Sequence, residues 1–194
     1  MLAPRALREI HPLGRSPVVV DGEQTLAESG AIIEYLVETY GQGSLAPARG
    51  GAERQRYTYW LHYAEGSAMS PLLLKLVFSR MPKARMPFFL RPVVRGIAGK
   101  ALATYVDPQL ALHVDYWESE LGKHRWFVSD ELTAADIQMS FPVELAEARL
   151  GFGKTRPRLS AFLERVRARP AYQRALAKGG PFEIPGGVLV QDRQ

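Results

Sequence analysis

The sequence predicts a mainly α protein in which a short mixed α/β segment precedes a long all-α region. Strand-type residues gather in Val18-Val19-Val20 and Gln24-Thr25-Leu26, on either side of Asp21-Gly22, a strong short hairpin signal. Gly41-Gln42-Gly43-Ser44 and the stretch from Pro47 to Gly51 read as a linker. Beyond it, every apolar pattern repeats at helical spacing. The organisation expected is therefore 1–41 for the mixed segment, 42–52 for the linker and 53–194 for the helical domain.

Taken in order, Pro4 to Ile10 suits a brief helix that Pro12 stops, because the residue before a proline is pushed out of the α region. After the hairpin, Ile32, Ile33, Leu36, Val37 and Tyr40 fall at helical spacing, predicting a helix from Ser29 to about Tyr40 that Gly41 ends. A hairpin with one or two helices buries too little apolar surface to stand alone. Val18 to Val20 reads as buried on both faces, so the hairpin either docks on the helical domain or pairs with upstream sequence.

In the helical region, Tyr57, Trp60, Leu61, Ala64 and Ala68 line one face of a helix beginning near Glu53, which Pro71 bends and which continues to Phe78. Met81 to Pro92 holds three prolines and reads as a loop or broken helix. Asp107-Pro108 reads as an N-cap with proline at the first helical position. Leu110, Val114, Trp117 and Leu121 then repeat as one amphipathic stripe. Thr133 opens the next helix, with Ile137, Phe141, Leu145 and Ala148 expected inward. Leu159, Phe162, Leu163 and Val166 mark another, stopped before Pro170.

Composition removes several function classes. Among 194 residues there is no cysteine, which excludes a disulfide framework, a thiolate zinc site and a cysteine nucleophile, and suits a reducing compartment. Met1 to Glu9 carries two arginines and no apolar stretch, unlike a signal peptide, and no run approaches the length of a membrane span. A cytoplasmic location follows as the expectation. The net charge of +5 divides into −3 over residues 1–41 and +8 over the remainder. From Gly66 to Val106 there are seven basic side chains and no acidic one. Such a field can attract an acidic small molecule, a nucleic acid or a membrane surface, but no aromatic-interleaved basic stripe or named nucleic-acid motif accompanies it. It reads as a solvated basic face, with neither a nucleic acid nor a membrane expected as partner.

Familiar catalytic constellations are absent from the sequence. His11, His62, His113 and His124 are scattered, no His-Glu-x-x-His pair is present, and no metal site is expected. Glu28-Ser29-Gly30-Ala31 is no nucleophile elbow, and neither a phosphate loop nor a dinucleotide fingerprint occurs. Glu118 and Glu120, two apart on a helix, cannot face one another and read as solvated. His11 reads as a turn or cap residue, and Thr133-x-x-Asp136 as a capping-box variant.

Two strings remain: His11-Pro-Leu-Gly-Arg-Ser-Pro-Val-Val-Val20 and Leu26-Ala-Glu-Ser-Gly-Ala-Ile-Ile-Glu-Tyr-Leu36. At this separation they resemble the second half of the thioredoxin-like glutathione-binding domain of glutathione transferases, above all bacterial and fungal members. Trp126-Phe127-Val128 with Leu132-Thr-Ala-Ala-Asp-Ile137 is similar to the family's capped core helix, and Arg169-Pro-Ala-Tyr-Gln-Arg-Ala-Leu176 to its late-helix signature. The fold class implied is a partial thioredoxin-like α/β domain followed by the all-α C-terminal domain of that family.

The resemblance implies that Pro17 follows a cis bond, which turns the N–H and C=O of Ser16 toward an extended tripeptide. It implies that Ser29, at a helix start, bonds the γ-glutamyl carboxylate of glutathione, that Glu28 pairs with its ammonium group, and that Arg15 reaches the glycyl carboxylate. On local sequence alone Ser29 reads as an N-cap and Glu28 as a first-turn acid. Tyr57, Trp60 and Tyr63 are core or interface residues, of which one could border a pocket for the second substrate. Glutathione is then a co-substrate, conjugated to an electrophilic apolar molecule by a homodimer; the alternative is a non-catalytic scaffold of the same fold. Family members open with a β-α-β unit that supplies the Tyr, Ser or Cys stabilising the thiolate. Met1 lies just ahead of the segment resembling that domain's second helix, so conjugation is expected to depend on upstream residues, and the thiol-activating group is left unassigned.

Overall fold

The computed structural model describes residues 4–180 and the backbone of 183–184 and 188–189. α1 (Arg5–Ile10) stops ahead of Pro12, and the His11 N–H closes its last turn on the Leu7 carbonyl. β1 (Val18–Asp21) and β2 (Gln24–Ala27) pair antiparallel from Val18↔Ala27 to Asp21↔Gln24, leaving Gly22-Glu23 as the turn. Gly22 sits at φ +57°, a conformation that costs glycine nothing. α2 (Ser29–Tyr40) follows, and its Tyr35 and Tyr40 hydroxyls both donate to the Asp21 carboxylate, Tyr35 at 2.8 Å. The hairpin is thus clamped to the helix that leaves it.

Val18 to Val20 is not buried on both faces. β1 pairs only with β2 among the described residues, and Val20 is 59% exposed. What supports the segment is α2, whose partly buried Ile33 and Val37 seat it on the helical core. The connection after Gly41 is irregular, yet Leu45 and Ala46 pack on that core and the Leu45 carbonyl accepts the Ala134 N–H at 2.7 Å.

The helical region runs through α3 (Gly51–Tyr63), α4 (Met69–Arg80), α5 (Arg91–Ala101), α6 (Asp107–Glu120), α7 (Ala134–Leu150), α8 (Pro157–Arg167) and α9 (Pro170–Gly179). A π turn at Ala64–Ala68 joins α3 to α4, and another at Leu102–Val106 joins α5 to α6. A proline lacks the N–H of the helix ladder, and its ring crowds the carbonyl four residues back. For Pro71 and Pro108 those carbonyls belong to Ser67 and Thr104, which lie in the two π turns, where the wider winding removes the conflict. Pro142 sits inside α7 with no such turn. The continuity overturns the N-cap expected at Asp107: its φ of −68° is helical, the chain enters it from the π turn, and its carboxylate takes the Lys75 ammonium of α4 at 2.6 Å.

The stripes of α3, α6 and α8 meet in one core. Trp60, Leu110, Trp117, Phe127, Leu159, Phe162 and Leu163 are wholly buried there, with Phe127 and Phe162 edge-to-face at 5.0 Å. Two expectations change. Leu145 is buried as expected, but Ile137 and Phe141 are 44% and 38% exposed, because α7 turns Met139, Val143 and Ala146 to the core instead. Nor are Glu118 and Glu120 solvated. Glu118 accepts the N–H groups of Arg158 and Leu159 at 3.0 Å each, capping the start of α8. Glu120 is 4% exposed between Arg56 and Lys123.

The capping box forms as expected, and it does more than cap. The Asp136 carboxylate is fully buried and accepts the Thr133 N–H at 2.8 Å, the Thr133 hydroxyl at 2.8 Å and the Phe127 N–H at 2.7 Å. Burial pushes this carboxyl up to about 6, against the pull of those donors. An Asp136→Asn substitution puts an amide N–H₂ against donors that need acceptors. It is expected to cost about 2–4 kcal/mol, read as a fall in the urea midpoint at unchanged slope; a midpoint within error of the parent's would show that the three bonds are not holding α7.

Candidate functional site

A cavity of about 130 Å³ opens where β1, β2 and α2 converge. His11, Leu13, Arg15, Ser16 and Pro17 form one wall, Ala27, Glu28 and Ser29 the other, and Glu65 reaches in from the π turn after α3. The structure therefore brings together Arg15, Ser16, Pro17, Glu28 and Ser29, five residues drawn from the loop before β1 and from the start of α2. The Ser16–Pro17 peptide is cis, and Arg15, Ser16 and Pro17 are all exposed toward solvent.

Glu28 has an unusual backbone. It is the N-cap of α2 at φ +74°, ψ 122°, a conformation that side chains with a Cβ seldom adopt. Its carbonyl still accepts the first helical bond, from the Ile32 N–H at 2.9 Å. No side chain caps α2, so Ser29 and the first-turn N–H groups present the positive end of the helix to the cavity. Such strain costs on the order of 1–3 kcal/mol and persists where surrounding structure enforces it, commonly at ligand sites.

Charge is distributed unevenly around this hollow. Glu65 accepts an amide N–H from Gln138 of α7 at 2.9 Å, which fixes its carboxylate over the cavity. Partial burial pushes the Glu65 carboxyl above its ordinary range, and the negative charge of Glu28 adds to the effect. Two carboxylates thus face one cavity beside a helix N-terminus and an arginine. The arrangement offers separate places for a cationic group and for anionic ones, which suits a zwitterion.

A larger hollow of about 420 Å³ adjoins the first and shares Ser16, Pro17, Ser29 and Glu65 with it. Its remaining walls are Ile137, Gln138 and Phe141, consecutive turns of α7. The half-exposed Ile137 and Phe141 therefore give this hollow an apolar side.

Tyr57, Trp60 and Tyr63 do not line either hollow. Trp60 is fully buried and stacks on Tyr116 at 5.3 Å; Tyr57 is 1% exposed under Arg54. The Tyr63 hydroxyl turns to α6, accepting Trp117 Nε1–H at 3.1 Å and pairing with His113 Nδ1. All three are core residues. Glu65, Ile137, Gln138 and Phe141 line the larger hollow instead. The sequence does carry a trace of this: α7 is apolar around more of its circumference than one buried stripe requires.

Residues 2–44 match the family model described as the N-terminal domain of glutathione S-transferase, and residues 80–170 the one for its C-terminal domain. Glutathione S-transferase 3 of Schizosaccharomyces pombe is 32% identical, over 91% of this chain and 72% of its own length. Glutathione S-transferase 1 of Saccharomyces cerevisiae is 31% identical, over 93% of this chain and 82% of its own. The crystal structure of a glutathione S-transferase from Actinobacillus pleuropneumoniae superposes with a TM-score of 0.73 at 32% identity, covering 91% of this chain and 74% of that one. Likeness of this extent in sequence, domain order and backbone shows that the chain belongs to the glutathione transferase family.

Proposed function

We propose that the smaller cavity holds glutathione and that the adjoining hollow receives an electrophilic, apolar second substrate. The observation that carries this reading is the zwitterion-like charge pattern at the start of α2. The γ-glutamyl ammonium sits between Glu28 and Glu65, relieving the repulsion of two carboxylates facing one cavity. Its carboxylate takes the Ser29 hydroxyl and the N–H groups of the α2 start. The Ser16 backbone, beside the cis peptide, pairs with the cysteinyl residue as an added strand would. Arg15 meets the glycyl carboxylate. The thiol then faces the hollow walled by Ile137 and Phe141, where an apolar electrophile is held for attack.

In this reading residues 1–41 are the glutathione-binding unit, 42–52 the linker and 53–194 the helical domain. No metal takes part, the protein acts in the cytoplasm, and two copies form the working dimer. Among the described residues no helix is long and apolar enough to cross a membrane.

Glu28→Gly separates the two roles of Glu28. Glycine accepts the φ of +74° without strain, so the variant's unfolding free energy should rise by about 0.5–1 kcal/mol. Loss of the carboxylate should at the same time reduce retention on glutathione resin by at least about tenfold. Unchanged retention would refute the ammonium contact, and lowered stability would refute the strain.

Protonation of Glu65 gives a second test. Its carboxyl titrates above the ordinary value of 4.5, so glutathione affinity should fall as pH drops through that raised value. In the free protein the same group has the opposite slope. A carboxyl whose pKa is raised by folding contributes stability that is complete below its unfolded value and lost as pH rises through the folded one. Calorimetric titration with glutathione and urea midpoints, each across mildly acid pH, should therefore change in opposite senses. Both Glu65-dependent slopes should vanish in Glu65→Gln; their persistence in that variant would exclude Glu65.

A further inference from the structure

The acid-free stretch between Gly66 and Val106 turns back on itself at the far end of the α4–α5 hairpin. α4 ends at Arg80, two short 3₁₀ turns at Met81–Lys83 and Phe88–Leu90 carry the chain round, and α5 begins at Arg91. Composition alone assigns this stretch to a solvated basic face. What the structure adds is the position of its apolar side chains.

Phe88 is 80% exposed and Phe89 64%, while Leu90, Val93 and Ile97 are 43%, 57% and 57% exposed. The two rings meet each other edge to face at 5.8 Å, with both largely in solvent. The chain on either side of them carries Arg80, Lys83, Arg85, Arg91 and Arg95, all exposed. Along α5, Val93 and Ile97 lie one turn apart on one side of the helix, and Arg91 and Arg95 one turn apart on the opposite side. The tip therefore combines a pair of unpacked aromatic rings, an aliphatic stripe and a collar of five cations with no anion in it.

We propose that this tip is a docking surface for an anionic lipid bilayer, with Phe88 and Phe89 seated at the headgroup–acyl boundary and the arginines and lysine on the lipid phosphates. Charge decides between the possible occupants. A second copy of this chain placed on the same face would bring two cation collars together with no carboxylate to separate them, a juxtaposition that disfavours association. A nucleic acid would satisfy the cations and leave Leu90, Val93 and Ile97 without a partner. A bilayer with acidic headgroups satisfies both halves, and helices with apolar residues on one side and Lys/Arg on the other bind in this manner. The tip is far from the glutathione cavity: Arg80 follows Glu65 by 15 positions, or about 22 Å along helix axes.

The test is co-sedimentation of the whole chain with vesicles of phosphatidylcholine mixed with phosphatidylserine, against vesicles of phosphatidylcholine alone. Binding to the mixed vesicles is expected, falling about tenfold or more in high salt, in Phe88→Ser/Phe89→Ser and in Arg91→Glu/Arg95→Glu. Both variants change exposed side chains, so their urea midpoints should match the parent's and exclude misfolding as the cause. Equal partition onto the two kinds of vesicle, or no partition onto either, overturns the proposal. So does self-association, by sedimentation velocity, that the phenylalanine variant abolishes while lipid binding is absent. Salt-sensitive retention on heparin by a protein that ignores the vesicles likewise overturns it, in favour of a polyanion.

Discussion

The Asp136 carboxylate ties the segment after α6 to the head of α7. It receives the N–H of Phe127 from the segment after α6 and both donors of Thr133 at the head of α7, all inside the protein. Two residues before it, the Ala134 N–H is taken by the Leu45 carbonyl of the connection from the mixed segment. The start of α7 is therefore fixed from two sides at once. Against α7 lie α2, α3, α4 and α8. A buried carboxylate is a costly centre for such a junction, tolerable only because each donor is well placed.

The candidate site inherits its geometry from this junction. Ile137 and Gln138 follow Asp136 directly, and Phe141 comes one turn later. Gln138 holds Glu65, so the carboxylate that reaches into the cavity is positioned by α7 although it belongs to the chain after α3. The hairpin contributes the opposite wall, held by the double tyrosine clamp on Asp21 and by Ile33 and Val37 of α2 against the helical core. Neither wall alone makes a site. The docking of α2 on α7 brings them together.

Much of this was legible from residues. The hairpin turned at Gly22, α2 spans Ser29–Tyr40, and Leu110, Val114, Trp117 and Leu121 are buried as their spacing requires. Local rules reach that far because hairpin turns, caps and single stripes are decided within a few residues. They failed where a residue answers to a distant element. Asp107 looks like an N-cap because Pro108 follows it, yet the preceding π turn carries the helix through. Glu120 looks solvated until Arg56, 64 positions earlier, lies beside it. Tyr57, Trp60 and Tyr63 went to the core because α6 packs across α3, and Ile137 and Phe141 were left facing the hollow because α7 had other residues to bury. The cavity residues named from the family strings lie close in sequence to one another; Glu65 and Gln138, supplied by tertiary packing, do not.

The π turn at Ala64–Ala68 has a further consequence for how this chain tolerates change in length. A π turn closes its hydrogen bonds over five residues instead of four, so it accommodates one position more than the same rise of α-helix. Removing one residue there therefore restores ordinary winding and leaves Met69 to Arg80 in phase with α3, whereas the same deletion within α3 or α4 rotates everything beyond it by about 100°. In that second case Leu72, now wholly buried, would leave the core, and Lys75 would no longer meet Asp107. Glu65 is the exception, since it is held by Gln138 from inside the turn and would shift with it. A single codon missing from this turn would thus spare the packing of the two helices and disturb chiefly one wall of the cavity.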